Sequence, residues 1–413
     1  MHLAPKEFKD KKLANPPKVA FVCLEDAARP DIISGGPYRI RKAFQDLGCD
    51  VIDIFPIRPK MAWAFLPKKI FYRLLGLYYH WEWEPRFQQR VARHIEACLA
   101  LTKPDMIYVV QPQAACELKT DIPVVVGHDQ TFIERLNYFP FEKRPPCSAY
   151  AGQAILKEGE VFRSADLVAY PSERSINMVR SAYKISDRRL AVIPWGGNLA
   201  VEPSAADVES MFGTRGFGPF FLTFIGVDWY RKGGDIVVQT LAALRAKGLD
   251  VRLTIIGVRP PIPEDEAITI IPFLSKNDPA DIAKLAAILG HTHLLFVPSR
   301  VEAFGHVFAE AAAFAVPSVA QDVGGIATII EHGVNGILLP ENARAAEFAA
   351  AIAALFTNEP SYRIMAKAAR ERYETDLNWR AYCETVIALT HRGSGGPRFE
   401  SDRWTWNDFV PVT

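Results

Sequence analysis

Short apolar runs alternate with helical patterns along almost the whole chain. Val19–Leu24 is an apolar run ending in a polar loop that carries Ser34-Gly35-Gly36, and the spacing in Tyr38–Leu47 predicts a helix. Val51–Phe55, Met106–Val110, Val124–Val126 and Leu167–Ala169 are further runs of the kind that parallel sheets bury on both faces. A second series opens at Phe220–Ile225. It continues with a helix over Gly234–Ala246, strands over Val251–Ile256 and Ile268–Ile271, and a helix over Pro279–Leu289. Strand Leu294–Val297, helix Gly305–Phe314, and the runs Ser318–Ala320 and Gly336–Leu339 follow. The expected class is α/β, with two doubly wound parallel-sheet domains.

Boundaries follow from punctuation. A polar extension over 1–17 precedes a first domain over 18–198. Pro203, Gly213, Gly216, Gly218 and Pro219 mark 199–219 as a linker, and a second domain runs over 220–375. Asn378–Leu389, within 376–392, reads as an amphipathic helix. The tail 393–413 holds Trp404, Trp406 and Phe409 without a clear period. Ligands of such folds bind outside the carboxyl ends of the strands, so two domains of this type set a cleft there and the functional residues belong in the loops after strands. Neither Val19–Leu24 nor Phe220–Ile225 is followed by G-x-G-x-x-G, which disfavours a nicotinamide enzyme, and the absence of G-x-x-x-x-G-K-[ST] disfavours a P-loop nucleotidase.

Composition narrows the class. The 413 residues are 49% apolar and 23% charged, which fits packed globular structure rather than disorder. Lys plus Arg (48) almost equals Asp plus Glu (47), so no basic footprint for nucleic acid exists at the level of the whole chain. There is no apolar run long enough to span a bilayer, and the lysine-rich N-terminus lacks the apolar core of a signal peptide. The six cysteines are scattered with no C-x-x-C, so the expectation is no disulfide framework, no zinc site and a cytoplasmic location.

Two stretches carry candidate chemistry. In Pro298-Ser-Arg-Val-Glu302-Ala303-Phe304-Gly305-His306-Val-Phe-Ala-Glu310, a strand ends, a loop carries Glu302, and a helix begins near Gly305. Free N–H groups and the positive dipole end at a helix start suit an anion such as phosphate. Glu310 lies over a turn further on, about 8–12 Å from Glu302 at the helical rise plus the loop. A diphosphate at the helix start would then have a carboxylate on each side, positioned for sugar and ribose hydroxyls. The plainer alternative makes Glu302 a helix-start charge and Glu310 a solvated helix residue. In Phe224-Ile-Gly226-Val227-Asp228-Trp-Tyr-Arg231-Lys232-Gly233-Gly234, paired cations and glycines after a strand suit close approach of a diphosphate. Its plainer alternative is a basic turn ahead of a glycine-rich helix start.

Together these stretches resemble the retaining GT-B glycosyltransferases of family 4. Glu302 and Glu310 match that family's E-x7-E element, followed by Ala311–Pro317, Gly324-Gly325 and Gly333-Val-Asn335-Gly336. Lys232-Gly233 resembles the family's strand–loop Lys-Gly, Ile193-Pro194-Trp195-Gly196-Gly197-Asn198 its element before the linker, Ser34-Gly35-Gly36 its glycine loop, and His128-Asp129 its active-site histidine loop. The likeness covers roughly Lys18 to Leu389 and is most specific over Leu222–Leu339. It implies a GT-B fold of two Rossmann-like domains facing a cleft, with the last helix crossing back to the first domain.

The resemblance implies roles as well. Glu310 would bind the donor ribose. Glu302, with the backbone of Ala303, Phe304 and Gly305, would meet the donor sugar and phosphate. Lys232 would neutralise the leaving diphosphate, and His128 would lie near the reacting centre. Gly35, Gly36 and Gly226 would allow backbone approach to the donor. Val227 stands where the family usually has Arg, which makes Arg231 the candidate replacement. Ala315 stands where Gly is frequent, a change expected to touch packing rather than chemistry. The implied activity is transfer of a hexose with retention from a nucleotide-diphosphate sugar, UDP-glucose or a related UDP-sugar favoured, to an unidentified saccharide, lipid or small molecule. No metal-ligand cluster is visible, so no metal is expected, and a front-face route in which the leaving phosphate takes the acceptor proton is the inherited mechanism. An epimerase of the same fold and a non-catalytic nucleotide-sugar-binding partner protein are the alternatives.

Weaker signals remain. No acidic residue lies between Asp53 and Glu82, where Arg58, Lys60, Lys68, Lys69 and Arg73 interleave with Trp63, Phe65, Phe71, Tyr72, Tyr78, Tyr79 and Trp81. Such a stretch, 58–83, fits peripheral contact with the inner face of a membrane, or a helix that packs its aromatics and solvates its lysines. His291-Thr-His293 has metal-like spacing but no partner nearby and reads as an ordinary turn before a strand. Ser172 reads equally as a ligand contact or a helix cap.

Overall fold

A computed structural model describes residues 12–57, 62–138 and 144–393 of the chain. Arg58, Lys60, the tail tryptophans and most of the 1–17 extension lie outside the described residues. The chain divides into two compact units: Met1–Tyr170, Ser175–Ile193 and Cys383–Thr413 form the first, Pro171–Arg174 and Pro194–Tyr382 the second.

The first unit is built on six parallel strands: β1 (Lys18–Val22), β2 (Asp50–Ile54), β3 (Met106–Val109), β4 (Val124–Gly127), β5 (Leu167–Tyr170) and β6 (Leu190–Val192). Their order is β2-β1-β3-β4-β5-β6. β3 and β5 are buried along their whole length, which is why they read as unbroken apolar runs. The edge strand β6 is half-buried and only three residues long, and its short apolar run, Leu190–Ile193, was not singled out in the sequence. Helices such as Pro85–Thr102 and Ser148–Ser164 bury apolar faces that include Val91, Ile95 and Phe162 in this unit's core.

The second unit repeats the plan with β7 (Phe220–Ile225), β8 (Val251–Ile256), β9 (Ile268–Ile271), β10 (Leu294–Phe296), β11 (Ser318–Gln321) and β12 (Gly336–Leu339). The order β12-β11-β10-β7-β8-β9 reverses direction at the β7/β10 pair, where Leu294 and Leu295 pair in parallel with Leu222 and Thr223. That reversal is the switch point at which doubly wound sheets bind ligands, and the loops after β7 and β10 both open there.

The expected linker differs from what the structure holds. Within 199–219 lies the helix Ala205–Thr214, started by a capping box in which Ser204 and Asp207 satisfy each other's backbone N–H groups. Val208 and Phe212 are buried on it. The next residue, Arg215, is buried and donates to the carbonyls of Gly290, Phe314 and Ala315 and to the Tyr362 hydroxyl. Its charge thus sits on carbonyls at the C-terminal ends of the helices Pro279–His291 and His306–Ala312. Proline and glycine marked the ends of this segment, while its interior is part of the second unit's body. Residues 194–198, expected in the first domain, also belong to the second unit. The division at the far end falls inside the helix Trp379–Gly393, whose residues from Cys383 count with the first unit. Ala315 has φ of +51°, so the family's glycine at that position is explained by left-handed backbone rather than by packing.

Candidate functional site

In the loop after β7, the Asp228 carboxylate accepts the Arg231 N–H at 3.0 Å and the Asp228 carbonyl accepts the Lys232 N–H at 3.0 Å, which closes a tight turn. Gly233 has φ of +74°, and a Cβ there would run into the Pro298 carbonyl. A Cβ on Gly234 would enter the Trp229 ring. Gly233 lets the loop after β7 lie directly on the loop after β10, and Gly234 leaves room for the Trp229 ring of its own loop. Arg300 reinforces the junction: its N–H reaches the Arg231 carbonyl at 2.8 Å, and its guanidinium grips Asp235 at 2.8 and 2.7 Å.

The result is an ion pair between Lys232 and Glu302, about nine-tenths buried on both sides. Burial opposes the charge of Glu302, but Lys232, with help from Arg231 and His306, outweighs it and holds the carboxyl below its usual range. Arg231 itself is spent on bracing. Its side chain reaches the Val301 carbonyl at 3.2 Å and lies 3.7 Å from Asp228. Beneath Glu302 runs Gly324-Gly325. A Cβ on Gly324 would collide with the Glu302 carbonyl, and the Gly325 N–H donates to the Ala303 carbonyl at 2.8 Å. The glycine pair therefore shapes the backbone of Glu302 and Ala303.

Glu310 is buried on the helix His306–Ala312, so the solvated alternative does not hold. Its Oε1 accepts from the Lys276 ammonium at 2.6 Å and from the Asn198 N–H at 3.2 Å, and Lys276 also reaches the Asn198 carbonyl at 3.2 Å. Burial again opposes the charge, and Lys276 overcomes it, holding the Glu310 carboxyl below its ordinary value. The stretch Pro194–Asn198 can come this close because of its glycines: a Cβ on Gly197 would sit 2.9 Å from the Glu310 nitrogen. Around it, His306 Nδ1 meets the Gly196 carbonyl at 2.9 Å and its ring stacks on Trp195, while Trp379 Nε1 donates to the Gly197 carbonyl at 2.8 Å. Gly305, with φ of +97°, starts the helix without any side-chain cap. Lys276 was missed in the sequence. The loop after β9 has no motif, and the only signal was a lone lysine at the carboxyl end of a strand.

The sheet and the two carboxylate–lysine pairs at its switch point can now be set beside known proteins. Residues 37–201 match the family model described as Glycosyltransferase Family 4, and residues 214–372 match Glycosyl transferases group 1. Solved structures align over nearly the whole chain. Sucrose-phosphate synthase from Thermosynechococcus elongatus covers 92% of this chain and 99% of its own, with TM-score 0.62 and 18% identity. Anabaena HepE in complex with UDP-glucose covers 91% and 100%, with TM-score 0.57 and 15% identity.

The chain has the GT-B glycosyltransferase fold.

Among curated proteins, the D-inositol 3-phosphate glycosyltransferase of Pseudarthrobacter chlorophenolicus is 31% identical over 288 residues, 65% of each chain. That of Rhodococcus erythropolis is 23% identical over 305 residues, 68% of this chain and 66% of the relative. The matched part thus spans just under two thirds of these relatives' own length. The family matches and these relatives agree with that fold assignment.

The remaining predicted residues of this GT-B chain lie in the first unit. Gly35 has φ of +84° and precedes the helix Gly36–Asp46, and Ile33 and Ser34 before it are also left-handed, a costly conformation for a β-branched residue. His128 follows β4, where its Nδ1 accepts the Asp129 N–H at 2.8 Å. Behind that loop lies a buried polar network that the sequence did not reveal. Glu158 accepts the Phe132 N–H at 2.9 Å and the Tyr183 hydroxyl, and burial pushes its carboxyl up to about 7. Glu134 caps its own helix through Thr131 and accepts from Ser175 at 3.0 Å, and burial raises its carboxyl too. The one signal was an acidic residue inside the apolar pattern of Ser148–Ser164. His293 is a core residue: its ring accepts the Phe221 N–H at 3.1 Å and meets the Gly216 carbonyl at 2.7 Å.

Proposed function

We propose that the protein transfers a hexose, with retention, from a nucleotide-diphosphate sugar to an acceptor, with UDP-sugars favoured as donors and no metal required. The observation that carries this reading is the buried Lys232–Glu302 pair at the switch point of the second sheet. Cleaving a sugar–diphosphate bond leaves negative charge on phosphate and positive character at the anomeric carbon. A desolvated ammonium in a preorganised loop answers the first and a carboxylate beside it answers the second. In this reading Lys232 does the work that a metal does elsewhere. Glu310, held ionised by Lys276, is an acceptor-only group suited to ribose hydroxyls. The first-unit residues His128, Gly35 and Gly36 keep the roles that the family likeness implies, near the donor sugar and the reacting centre.

HepE, which shares this fold, is described in complex with UDP-glucose, which supports the choice of base and sugar. The curated relatives' name places D-inositol 3-phosphate in the acceptor panel to be tried first. Epimerase and non-catalytic readings have no observation that favours them. The test is turnover on UDP-, GDP- and ADP-sugars in EDTA with that acceptor panel, the product anomer read by NMR. Metal-independent transfer from a UDP-hexose with retained configuration supports the proposal. Dependence on a divalent ion, or inversion, overturns those parts of it.

A further inference from the structure

The segment Ala62–Leu75 of the first unit is amphipathic in the reverse sense. A short 3-10 turn, Ala62–Phe65, leads into the α-helix Leu66–Leu74. No residue of that α-helix is buried. Its cations turn inward: Lys68 binds the Glu84 carboxylate at 2.6 Å and the Tyr150 hydroxyl at 3.2 Å, and the Lys69 ammonium sits 3.9 Å from the centroid of the Trp81 ring. Phe65, which is buried, anchors the same side against Trp81. Leu66, Ile70 and Leu74 recur every four residues and so form one stripe along the outer face, joined by Trp63 and Phe71. All five are exposed, Trp63 by 80% and Leu74 by 81%. The expectation that this stretch packs its aromatics holds for Phe65, Tyr72, Tyr79 and Trp81 but not for Trp63 and Phe71, and Lys68 and Lys69 are partnered rather than simply solvated. A contiguous apolar face of this kind marks an interaction site, because water gains nothing from it.

We infer that this face seats the protein on an anionic lipid surface. Charge selects that occupant. From residue 54 to residue 81 the chain has no acidic residue, and the exposed Arg73 borders the apolar stripe, while Lys68 is neutralised from within by Glu84 and Lys69 lies over Trp81. A second copy docking by two-fold symmetry would set Arg73 against its own copy with no acidic residue of this stretch to meet it. A bilayer takes the apolar stripe among its acyl chains, the indole at the headgroup level and the flanking Arg73 against anionic headgroups. The inference does not rest on sugar transfer, and it needs no helix that crosses the bilayer; among the described residues none is long and apolar enough to do so.

The test is co-sedimentation of the full chain with phosphatidylcholine vesicles and with vesicles containing equal parts of phosphatidylglycerol. The wild type is compared with Trp63→Ser combined with Leu74→Ser. Both positions are exposed, so equal unfolding temperatures will confirm that the variant is intact. The expected result is binding to the anionic vesicles, weakened by salt and at least about tenfold weaker in the variant. Absence of binding, binding that the variant leaves unchanged, or a concentration-dependent dimer that the variant abolishes would each overturn it.

Discussion

Replacing Lys276 by Met removes the ammonium that holds Glu310 charged and leaves the carboxylate with only the Asn198 N–H. A unit-charge pair near a protein surface is worth about 4 kcal/mol of direct attraction at 4 Å, and losing one partner of a buried pair costs about 3–5 kcal/mol. The Lys276 side chain is 43% exposed, so water screens its end and the net loss at neutral pH should be about 1–2 kcal/mol. The pH dependence is the sharper readout. In the wild type the Glu310 carboxyl lies below its ordinary value, so it contributes stability above the unfolded pKa that is lost as pH falls through the folded one. Without Lys276, burial is the dominant influence and raises that value, so the folded variant takes up a proton more readily than its unfolded chain. Urea unfolding at pH 7.5 and pH 5.5 should therefore show a larger stability difference between variant and wild type at pH 7.5. A difference that is the same at both pH values would refute the assignment of Lys276 as the group that keeps Glu310 ionised.

Gly324→Ala should destabilise the chain by at least about 3 kcal/mol by thermal unfolding, because φ is +57° and the new methyl would strike the Glu302 carbonyl, which is backbone and cannot swing away. Burial holds His293 down to about 4 from an ordinary 6.5, so the folded chain resists protonation and stability should fall as pH drops from 6.5 towards 4. The full loss is about 3 kcal/mol, and His293→Gln should flatten that limb of the unfolding profile. Arg215→Met strands the carbonyls of Gly290, Phe314 and Ala315 and should cost about 2–4 kcal/mol, read as a lowered urea midpoint with unchanged slope.

The α/β plan was legible because strands buried on both faces leave continuous apolar runs, as β1, β3 and β5 do; β7 and β8 were legible from their apolar majority although Phe221 and Arg252 are exposed. Edge strand β6 and the helix Ala205–Thr214 were not legible. The first is only three residues long and its apolar run Leu190–Ile193 is too short to stand out, and the second is flanked by proline and glycine that read as linker. At the site, Glu302, Glu310 and Lys232 stood out because a local motif carries them, and the structure shows Lys232 and Glu302 paired and Glu310 buried with its own lysine. Lys276, Asn198 and Glu158 act through partners 34, 112 and 26 residues away, and no local spacing records such a pairing. Arg231 was singled out as the replacement for the family's usual arginine, and the fold sets its side chain on Asp228 and the Val301 carbonyl.

The most direct test of the two carboxylate–lysine pairs as a nucleotide-sugar site is calorimetric titration of the purified chain with UDP, GDP and ADP in EDTA, repeated on Glu310→Ala and Lys232→Ala. The account predicts that UDP binds without metal and that each variant weakens it at least about tenfold. If no nucleotide binds the wild type, or if one binds both variants as tightly as the wild type, the site lies elsewhere and the assignment fails.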